Sequence, residues 1–263
     1  MPFNIGLKIW STNHDSFAQL FEMYIKKRIG YVELYIVPNS FNQKKLSILK
    51  QIPIIFHAPN FSHGFNLSEK NQIFESAVDT ILEFVNFFNE KKIIFHPGFV
   101  NINETLDTLN AIANINFLKS KFDIILENVP RLAIDKKTIL LASHPSDFNK
   151  IIKDTEIKWC LDIGHAIYSA NFYHENIMNY LELFFRMTPF MYHFADGNYK
   201  NIFDLHNHFG EGSFPLFELF KKIPKDSRIS LETPKTDFRL LSEDKRNLDY
   251  LYSKLLKNMV RHI

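Results

Sequence analysis

Eight short apolar runs recur along the chain, each followed by a longer segment of mixed character. The runs are IGLKIW (5–10), YVELYI (31–36), IPIIFH (52–57), KIIFHP (92–97), FDIILE (122–127), IKWCLD (157–162), PFMYHF (189–194) and RISLE (228–232). Each has the length of a buried strand, and continuous apolar character is typical of a parallel sheet covered by helices. The pattern therefore predicts eight parallel strands.

The segments between the runs carry the spacing of amphipathic helices. The clearest stripe comprises Leu67, Ile73, Phe74, Ala77, Ile81, Phe84, Val85 and Phe88. Weaker versions occupy 15–29, 103–119, 138–153, 173–187 and 243–257, and the segment 250–263 is predicted as an amphipathic last helix. Eight strand–helix units in a chain of this length predict a (β/α)8 TIM barrel, an α/β fold, built as one domain from residues 1–263.

Alternative architectures have less support. An open doubly wound sheet needs a glycine-rich phosphate loop after its first strand, and WSTNHD (10–15) contains no glycine. No linker rich in proline and glycine divides the chain. The sequence therefore favours the closed barrel.

Composition narrows the class of protein. Hydrophobic residues make up 46% of the 263 residues and charged residues 23%, the balance of a folded globular chain. A formal net charge of +2 gives no broad electrostatic footprint for nucleic acid. The single cysteine, Cys160, lies in an apolar run and has no disulfide partner. No run reaches the roughly 18 apolar residues of a membrane span, so we expect a cytoplasmic protein with no membrane partner.

Metal-capable side chains stand at or near the ends of six successive apolar runs. In chain order they are His57, His96, Glu127, Asp162, His193 and Glu232. His165 follows Asp162 by three residues, and Asp204 and His206 open the stretch DLHNHFGEG (204–212). Because the carboxyl ends of barrel strands form the catalytic mouth, we predict that all nine side chains converge there. The glycines of the Gly-Glu-Gly turn at 210–212 are expected to let the backbone approach the substrate.

Each of these residues taken alone has a simpler interpretation. A lone histidine at a strand end is commonly a hydrogen-bonded structural residue, and a lone acid can cap the next helix; we assign His208 and Glu211 no ligand role. Together, however, four carboxylates and five imidazoles would repel one another and lose hydration, a cost that divalent cations remove. Oxygen and imidazole ligands suit Zn²⁺, Mn²⁺ or Fe²⁺. Nine ligands exceed the three or four of one zinc, so we predict two or three divalent ions with Glu127 as a bridge.

The order of these motifs resembles the endonuclease IV branch of the xylose isomerase-like barrels, the AP endonuclease family 2. The matching stretches are HAP (57–59), HPG (96–98), LEN (126–128), CLDIGHA (160–166), HFADG (193–197), DLHNHFGEG (204–212) and LET (231–233). The resemblance implies a trinuclear site, usually of zinc. It implies one ion on His57, His96 and Glu127, a second on Glu127, Asp162, His193 and Glu232, and a third on His165, Asp204 and His206.

The resemblance leaves two chemistries open. The endonucleases hydrolyse phosphodiesters at abasic sites in damaged DNA, whereas sugar isomerases and epimerases of the same barrels use one metal on the equivalents of Glu127, Asp162, His193 and Glu232. Glu127 and Glu232 are the catalytic candidates in either case. The loops STNHD (11–15), VPNSFNQKK (37–45) and DGNYKNIF (196–203) lack the family's DNA-gripping patterns, and Asn60 replaces its tyrosine.

We therefore favour a metal-dependent isomerase or epimerase acting on a sugar or sugar phosphate, with an endonuclease IV-like zinc phosphodiesterase as the alternative. A third interpretation is a metal-storing or carbohydrate-binding module. Asn60 and His14 are predicted substrate contacts. The arrangement of Lys8, Arg131, Lys200 and Lys235 should separate the first two, because a basic crescent suits a duplex and a closed pocket with one or two cations suits a sugar phosphate.

Overall fold

Eight parallel strands close into a barrel in a computed structural model that describes residues 3–102 and 108–256. The barrel strands are β1 (Asn4–Trp10), β2 (Tyr31–Tyr35), β3 (Ile54–His57), β4 (Lys92–Phe95), β6 (Asp123–Glu127), β8 (Lys158–Asp162), β9 (Met191–Phe194) and β10 (Arg228–Leu231). Each pairs with its neighbour in sequence, and β1 closes the ring against β10 and β2. A separate antiparallel pair joins β5 (Phe99–Asn101) to β7 (Thr138–Leu140). The predicted (β/α)8 barrel is confirmed, and its strands lie within one or two residues of the apolar runs.

Helices cover the outside of the barrel. They are α1 (Phe17–Ile25), α2 (Gln43–Leu46), α3 (Gln72–Phe88), α4 (Leu109–Leu118), α5 (Pro145–Thr155), α6 (Ile163–Phe172), α7 (Ile177–Phe185), α8 (Leu216–Lys221) and α9 (Ser242–Tyr250), with 3-10 turns at His14–Ser16, Ser47–Gln51 and Phe61–His63 and a π-helical turn at Leu251–Leu256. Residues 103–107 and 257–263, which belong to the predicted helices 103–119, 243–257 and 250–263, lie outside the described residues. That residues 1–263 form one domain stays a prediction.

Helix α3 shows why helix boundaries differ from the apolar stripe. The side chain of Asn71 accepts a hydrogen bond from Phe74 N at 3.0 Å and starts the helix there. Leu67 therefore lies before the helix although it is buried, and Ile73 is 50% exposed. The helix ends where Asn89 adopts a left-handed conformation at φ 54°.

Two other predicted helices were misplaced. In the segment 138–153, residues Thr138–Leu140 form β7, and the helix α5 begins only at Pro145, with the His144 side chain as its cap. The β-branched Thr138 and Ile139 pair with β5 instead of continuing a helix. The segment 173–187 forms α7 only from Ile177, and α6 begins directly after β8, where no helix was predicted.

The barrel interior is layered, because alternate residues of each strand point inward. One inner cluster is apolar and comprises Tyr31, Ile55, Ile94, Ile125, Cys160 and Met191. The residues two positions further along the same six strands are Glu33, His57, His96, Glu127, Asp162 and His193. The apolar cluster thus forms the floor on which a layer of acids and histidines rests.

None of the helices in the described ranges combines the length and apolar character needed to cross a membrane.

Candidate metal centre

The nine predicted ligands all lie at the carboxyl-terminal mouth of the barrel. His57, Glu127 and Asp162 are the last residues of β3, β6 and β8, and His193 lies within β9. His96 and Glu232 directly follow β4 and β10, His165 lies in the first turn of α6, and Asp204 and His206 come from the loop after β9. Six of the nine are buried, namely His57, Glu127, Asp162, His165, His193 and Glu232. The arrangement matches the predicted convergence.

Glu127 lies at the centre of the cluster. Its Oε2 atom is 3.1 Å from His57 Nε2 and 3.2 Å from His96 Nε2. Its Oε1 atom is 3.2 Å from both His165 Nδ1 and His193 Nδ1. Ligand atoms of His57, His96 and Glu127 all lie within 4.8 Å of one another. Each carboxylate oxygen of Glu127 thus faces a different pair of imidazoles, as a bridging ligand would.

A second set gathers Glu127 with the ends of three further strands. Asp162, His193 and Glu232 bring ligand atoms within 4.8 Å of one another and of Glu127. Nδ1 of His193 lies 2.6 Å from Glu232 Oε1 and 3.9 Å from Asp162 Oδ2. Three carboxylates and one imidazole therefore surround one point.

The third set is built from α6 and the loop after β9. Asp162 caps α6, its Oδ1 accepting a hydrogen bond from His165 N at 2.7 Å, and so brings His165 back over the mouth. Asp204 bridges two histidines, with Oδ2 at 3.2 Å from His165 Nε2 and Oδ1 at 3.0 Å from His206 Nε2. The group of ligand atoms that lie within 4.8 Å of one another here is Asp162, His165 and His206, so Asp162 takes the place predicted for Asp204, which lies beside the two histidines.

The loop that carries Asp204 and His206 is folded around another acid, Asp196. This buried carboxylate accepts backbone hydrogen bonds from Gly210 N at 2.9 Å and Gly212 N at 3.1 Å on Oδ2, and from Gly197 N at 2.8 Å and Phe214 N at 3.1 Å on Oδ1. A Cβ atom on Gly212 would lie 2.3 Å from Asp196 Oδ1. Gly212 therefore leaves room for this carboxylate, and Gly210, at φ 83°, leaves room for the ring of Tyr250. That the turn also lets the backbone approach a substrate stays a prediction.

Several oxygen and nitrogen atoms of the cluster that could bind a metal ion are buried without a hydrogen bond. Among the described residues, Glu127 Oε1, His193 Nδ1, Asp204 Oδ1 and His96 Nδ1 have no hydrogen-bond partner. A buried polar atom without a hydrogen bond costs free energy of folding. Here the first three atoms lie near other potential metal-ligand atoms, at distances that suit a shared cation. Because hard oxygen and imidazole nitrogen dominate, the residues fit Zn²⁺, Mn²⁺ or Fe²⁺.

Charges in the cluster are strongly coupled. Burial raises the pKa of Glu127, yet the facing imidazoles of His193 and His96 outweigh burial and hold that pKa well below its usual range. Burial lowers the pKa of His206, but the Asp204 carboxylate overcomes it and raises that pKa to about 9. Burial itself raises the pKa of Asp162 to about 6. Neighbouring carboxylates thus favour the protonated forms of His193 and His206, whereas burial and Lys8 lower the pKa of His57. Metal ions would displace protons from the ligand atoms.

Two charged residues of the cluster were not predicted as metal ligands or catalytic residues: Glu33 was not singled out, and Lys8 was named only as a possible basic residue near the mouth. Glu33, in the middle of β2, is fully buried and its Oε2 accepts a hydrogen bond from His193 Nε2 at 2.8 Å. Lys8, in β1, places Nζ 2.5 Å from Glu232 Oε1 and 3.6 Å from Glu33 Oε1. Glu33, His57 and Glu232 form a further set within 4.8 Å, and the Lys8 ammonium supplies a cation to its two carboxylates. The sequence signal that could have identified both residues is a charged side chain inside an otherwise apolar predicted strand.

A cavity of about 280 Å³ opens above the cluster. Trp10 and Tyr35 form aromatic walls, and the carboxylates of Glu127 and Glu232 reach its floor. Asn60 lines it as predicted, with its side chain capping the turn at Ser62. His14 is not among the lining residues of this cavity and instead contacts Lys45, at 3.3 Å from Nδ1 to Nζ.

The four lysine and arginine residues proposed as discriminators divide in two. Lys8 and Lys235 line the cavity, whereas Arg131 and Lys200 do not. Both lining lysines already pair with acids, since Lys235 Nζ lies 2.8 Å from Asp244 Oδ1. The mouth is therefore a small, partly open pocket lined by two cations that are both paired with acids.

These features define a (β/α)8 barrel with overlapping sets of histidine and carboxylate donors at its mouth. No protein-family model matches the chain, and no curated protein sequence matches it significantly. Among solved structures it is similar to a D-tagatose 3-epimerase-like protein, with a TM-score of 0.65 and 19% identity over 95% of this chain and 99% of that one.

Two further solved structures have the same fold. Endonuclease IV from Thermus thermophilus is similar with a TM-score of 0.65 and 18% identity, over 97% of this chain and 99% of that one. A xylose isomerase domain protein from Alicyclobacillus acidocaldarius is similar with a TM-score of 0.56 and 11% identity, over 96% and 98%. The resemblance to the xylose isomerase-like barrels is thereby confirmed for the fold.

Proposed function

We propose that this protein is a divalent-metal-dependent enzyme that isomerises or epimerises a small sugar or sugar phosphate. The observation that carries the proposal is the pair of carboxylates, Glu127 and Glu232, that meet at His193 Nδ1 and both line one small cavity. Two carboxylates flanking a bound carbonyl substrate are the groups that proton transfer between adjacent carbons requires.

Different residues of the site would bind the metal ion, transfer the proton and position the substrate. Glu127, Asp162, His193 and Glu232 would hold a divalent ion, which would supply Lewis-acid polarisation of a substrate carbonyl. Glu127 and Glu232 remove and return the proton at the neighbouring carbon. Trp10 and Tyr35 pack against the apolar face of the open-chain sugar and limit access of water, while Lys8 orients a hydroxyl or phosphate oxygen in the cavity.

The small size of the pocket supports a small substrate over a duplex. The cavity measures about 280 Å³, slightly below the roughly 300 Å³ at which typical ligand pockets start. Lys8 and Lys235 are already paired with Glu232 and Asp244, so a substrate would share these two cations with protein carboxylates. We therefore include both unphosphorylated and phosphorylated sugars in the substrate class.

The test is proton exchange in deuterated water. Protein loaded with Zn²⁺ or Mn²⁺ is incubated with aldoses, ketoses and their phosphates, and NMR follows deuterium entering the carbon next to the carbonyl. We expect exchange with at least one sugar, its loss in Glu232→Gln, and its retention in Glu83→Gln, a control on the exposed face of α3. Absence of exchange across the panel, with metal bound, contradicts the proposal.

The third donor set favours a second candidate, an endonuclease IV-like zinc phosphodiesterase. A one-metal isomerase has no need for the ligand set of Asp162, His165 and His206, whereas multinuclear sites suit phosphoester hydrolysis. A duplex with one abasic site, compared with an undamaged duplex, tests this function directly. His165→Ala should cripple a three-metal hydrolase and affect a one-metal isomerase less. Robust incision without sugar exchange would reverse the ranking.

A further inference from the structure

His193 is held from both sides of its ring. Its Nδ1 atom faces the carboxylates of Glu127 and Glu232 at 3.2 and 2.6 Å. Its Nε2 atom donates a hydrogen bond to Glu33 Oε2 at 2.8 Å. His193 and Glu33 are both fully buried, so water does not compete for this contact.

Other candidate ligand histidines have weaker supports. His57 uses Nδ1 on the backbone carbonyl of Ala58 at 2.8 Å, and His165 uses Nδ1 on that of Asn128 at 2.8 Å. His96 Nδ1 has no hydrogen-bond partner in the part of the chain that is described. A carboxylate behind a ligand imidazole fixes its tautomer and orientation and raises its basicity more than a neutral carbonyl does.

Charge adds to the difference between the donor sets. The set of Glu127, Asp162, His193 and Glu232 contains three carboxylates and has Glu33 behind it, against the single ammonium of Lys8. The set of His57, His96 and Glu127 contains one carboxylate, and the set of Asp162, His165 and His206 also contains one, with Asp204 beside its histidines. A dication is therefore attracted most strongly to the four-residue set.

We propose that Glu33 is a positioning residue that, through His193, makes the four-residue set the tightest metal site and the first to be filled. The remaining sets take up metal afterwards. The Lys8 ammonium already compensates the set of Glu33, His57 and Glu232, so in this proposal Glu33 is not a metal ligand and acts by holding Nδ1 of His193 as the ligand atom. This inference concerns metal uptake and is independent of which reaction the protein catalyses.

The first test is a titration of the chelator-stripped full-length protein with Co²⁺, in competition with a chromophoric chelator. We expect the first equivalent to bind more tightly than those that follow. Glu33→Gln keeps the side-chain volume and removes the charge, and it should weaken the first equivalent by about 10- to 100-fold. The later equivalents should keep their affinities, and Glu83→Gln should behave as the unmodified protein.

Two outcomes would overturn the proposal. If Glu33→Gln weakens every equivalent alike, the residue has a general structural role. If His96→Ala removes the tightest equivalent, the first ion binds the His57–His96–Glu127 set instead of the four-residue set.

A second measurement needs no substitution and covers the case in which the Glu33 variant does not fold. Protein labelled with ¹⁵N-histidine is observed by NMR during addition of one equivalent of Zn²⁺. We expect the His193 ring to shift first, with Nε2 carrying the proton, ahead of His96 and His206. Simultaneous shifts of all three histidines, or an earlier shift of His96, would contradict the order of filling.

Discussion

Glu127 is the residue on which the donor sets converge, because its two oxygens face four different imidazoles. Glu127→Gln replaces one of those oxygens with an NH2 group, which cannot bind a cation, and removes the negative charge of the side chain. We expect at least one ion to be lost and turnover to fall by about 10²- to 10⁴-fold, the usual contribution of a general acid or base. Elemental analysis and the exchange assay check the two effects. A near-normal rate would show that the reacting centre lies elsewhere.

Lys8 has a different role with and without metal. Removal of its ammonium in Lys8→Met leaves Glu33 and Glu232 buried with only His193 as a basic partner, and breaking a buried pair costs up to about 3–5 kcal/mol. Bound dications compensate for that loss. We therefore expect urea denaturation to show a large destabilisation in chelator and a smaller one with saturating Zn²⁺. Equal losses under both conditions would argue against a charge role.

Individual residues were predicted unevenly. The ligands at strand ends, such as His57 and Asp162, could be found because the barrel rule makes a strand's carboxyl end functional. Glu33 and Lys8 lie inside apolar strands, and only the register of the closed barrel shows that they point inward beside His193 and Glu232. Asn60 reached the cavity, whereas His14 lies outside its lining because its turn directs the ring toward Lys45 and Phe17.

The loop after β9 is the element that completes the third donor set, and Asp196 organises it. Both oxygens of Asp196 accept hydrogen bonds from backbone N–H groups of the loop. Asp196→Asn leaves one oxygen and places an NH2 group against two of these N–H groups. We expect a loss of about 1.5–3 kcal/mol of stability, the range for hydrogen bonds to a charged group, with reduced metal content because Asp204 and His206 lose their placement. Urea unfolding and elemental analysis measure both effects, with Asp154→Asn on the exposed face of α5 as the control. Full metal content would contradict this role.

Strands were easier to predict than helices for a physical reason. A strand buried on both faces needs continuous apolar residues, which the sequence displays directly. Helix limits depend on caps such as Asn71 and Asp162 and on contacts formed only in three dimensions. The pairing of Thr138–Leu140 with Phe99–Asn101 is one such contact, and it converts an apparent helical stripe into a strand.

For the whole molecule, metal binding should appear as thermal stability. An ion present at about 100 times its dissociation constant adds about 2.7 kcal/mol. At about 2 °C per kcal/mol for a chain of this size, each such ion should raise Tm by about 5 °C. Differential scanning fluorimetry with chelator, and with Zn²⁺, Mn²⁺ or Fe²⁺, would rank the metals, and elemental analysis should find two or three equivalents. A Tm insensitive to all three metals would contradict a metal centre at the barrel mouth.

The position of Lys8 at the base of the mouth also bears on whether the protein folds before or after it binds metal. Since Lys8 and protonated imidazoles compensate the acids from within, the polypeptide can complete its barrel while the ions are still absent. Metal can then enter through the open cavity of the finished fold. Newly made protein should accordingly accumulate as a compact, inactive form in metal-starved cells and become active upon resupply, without new synthesis.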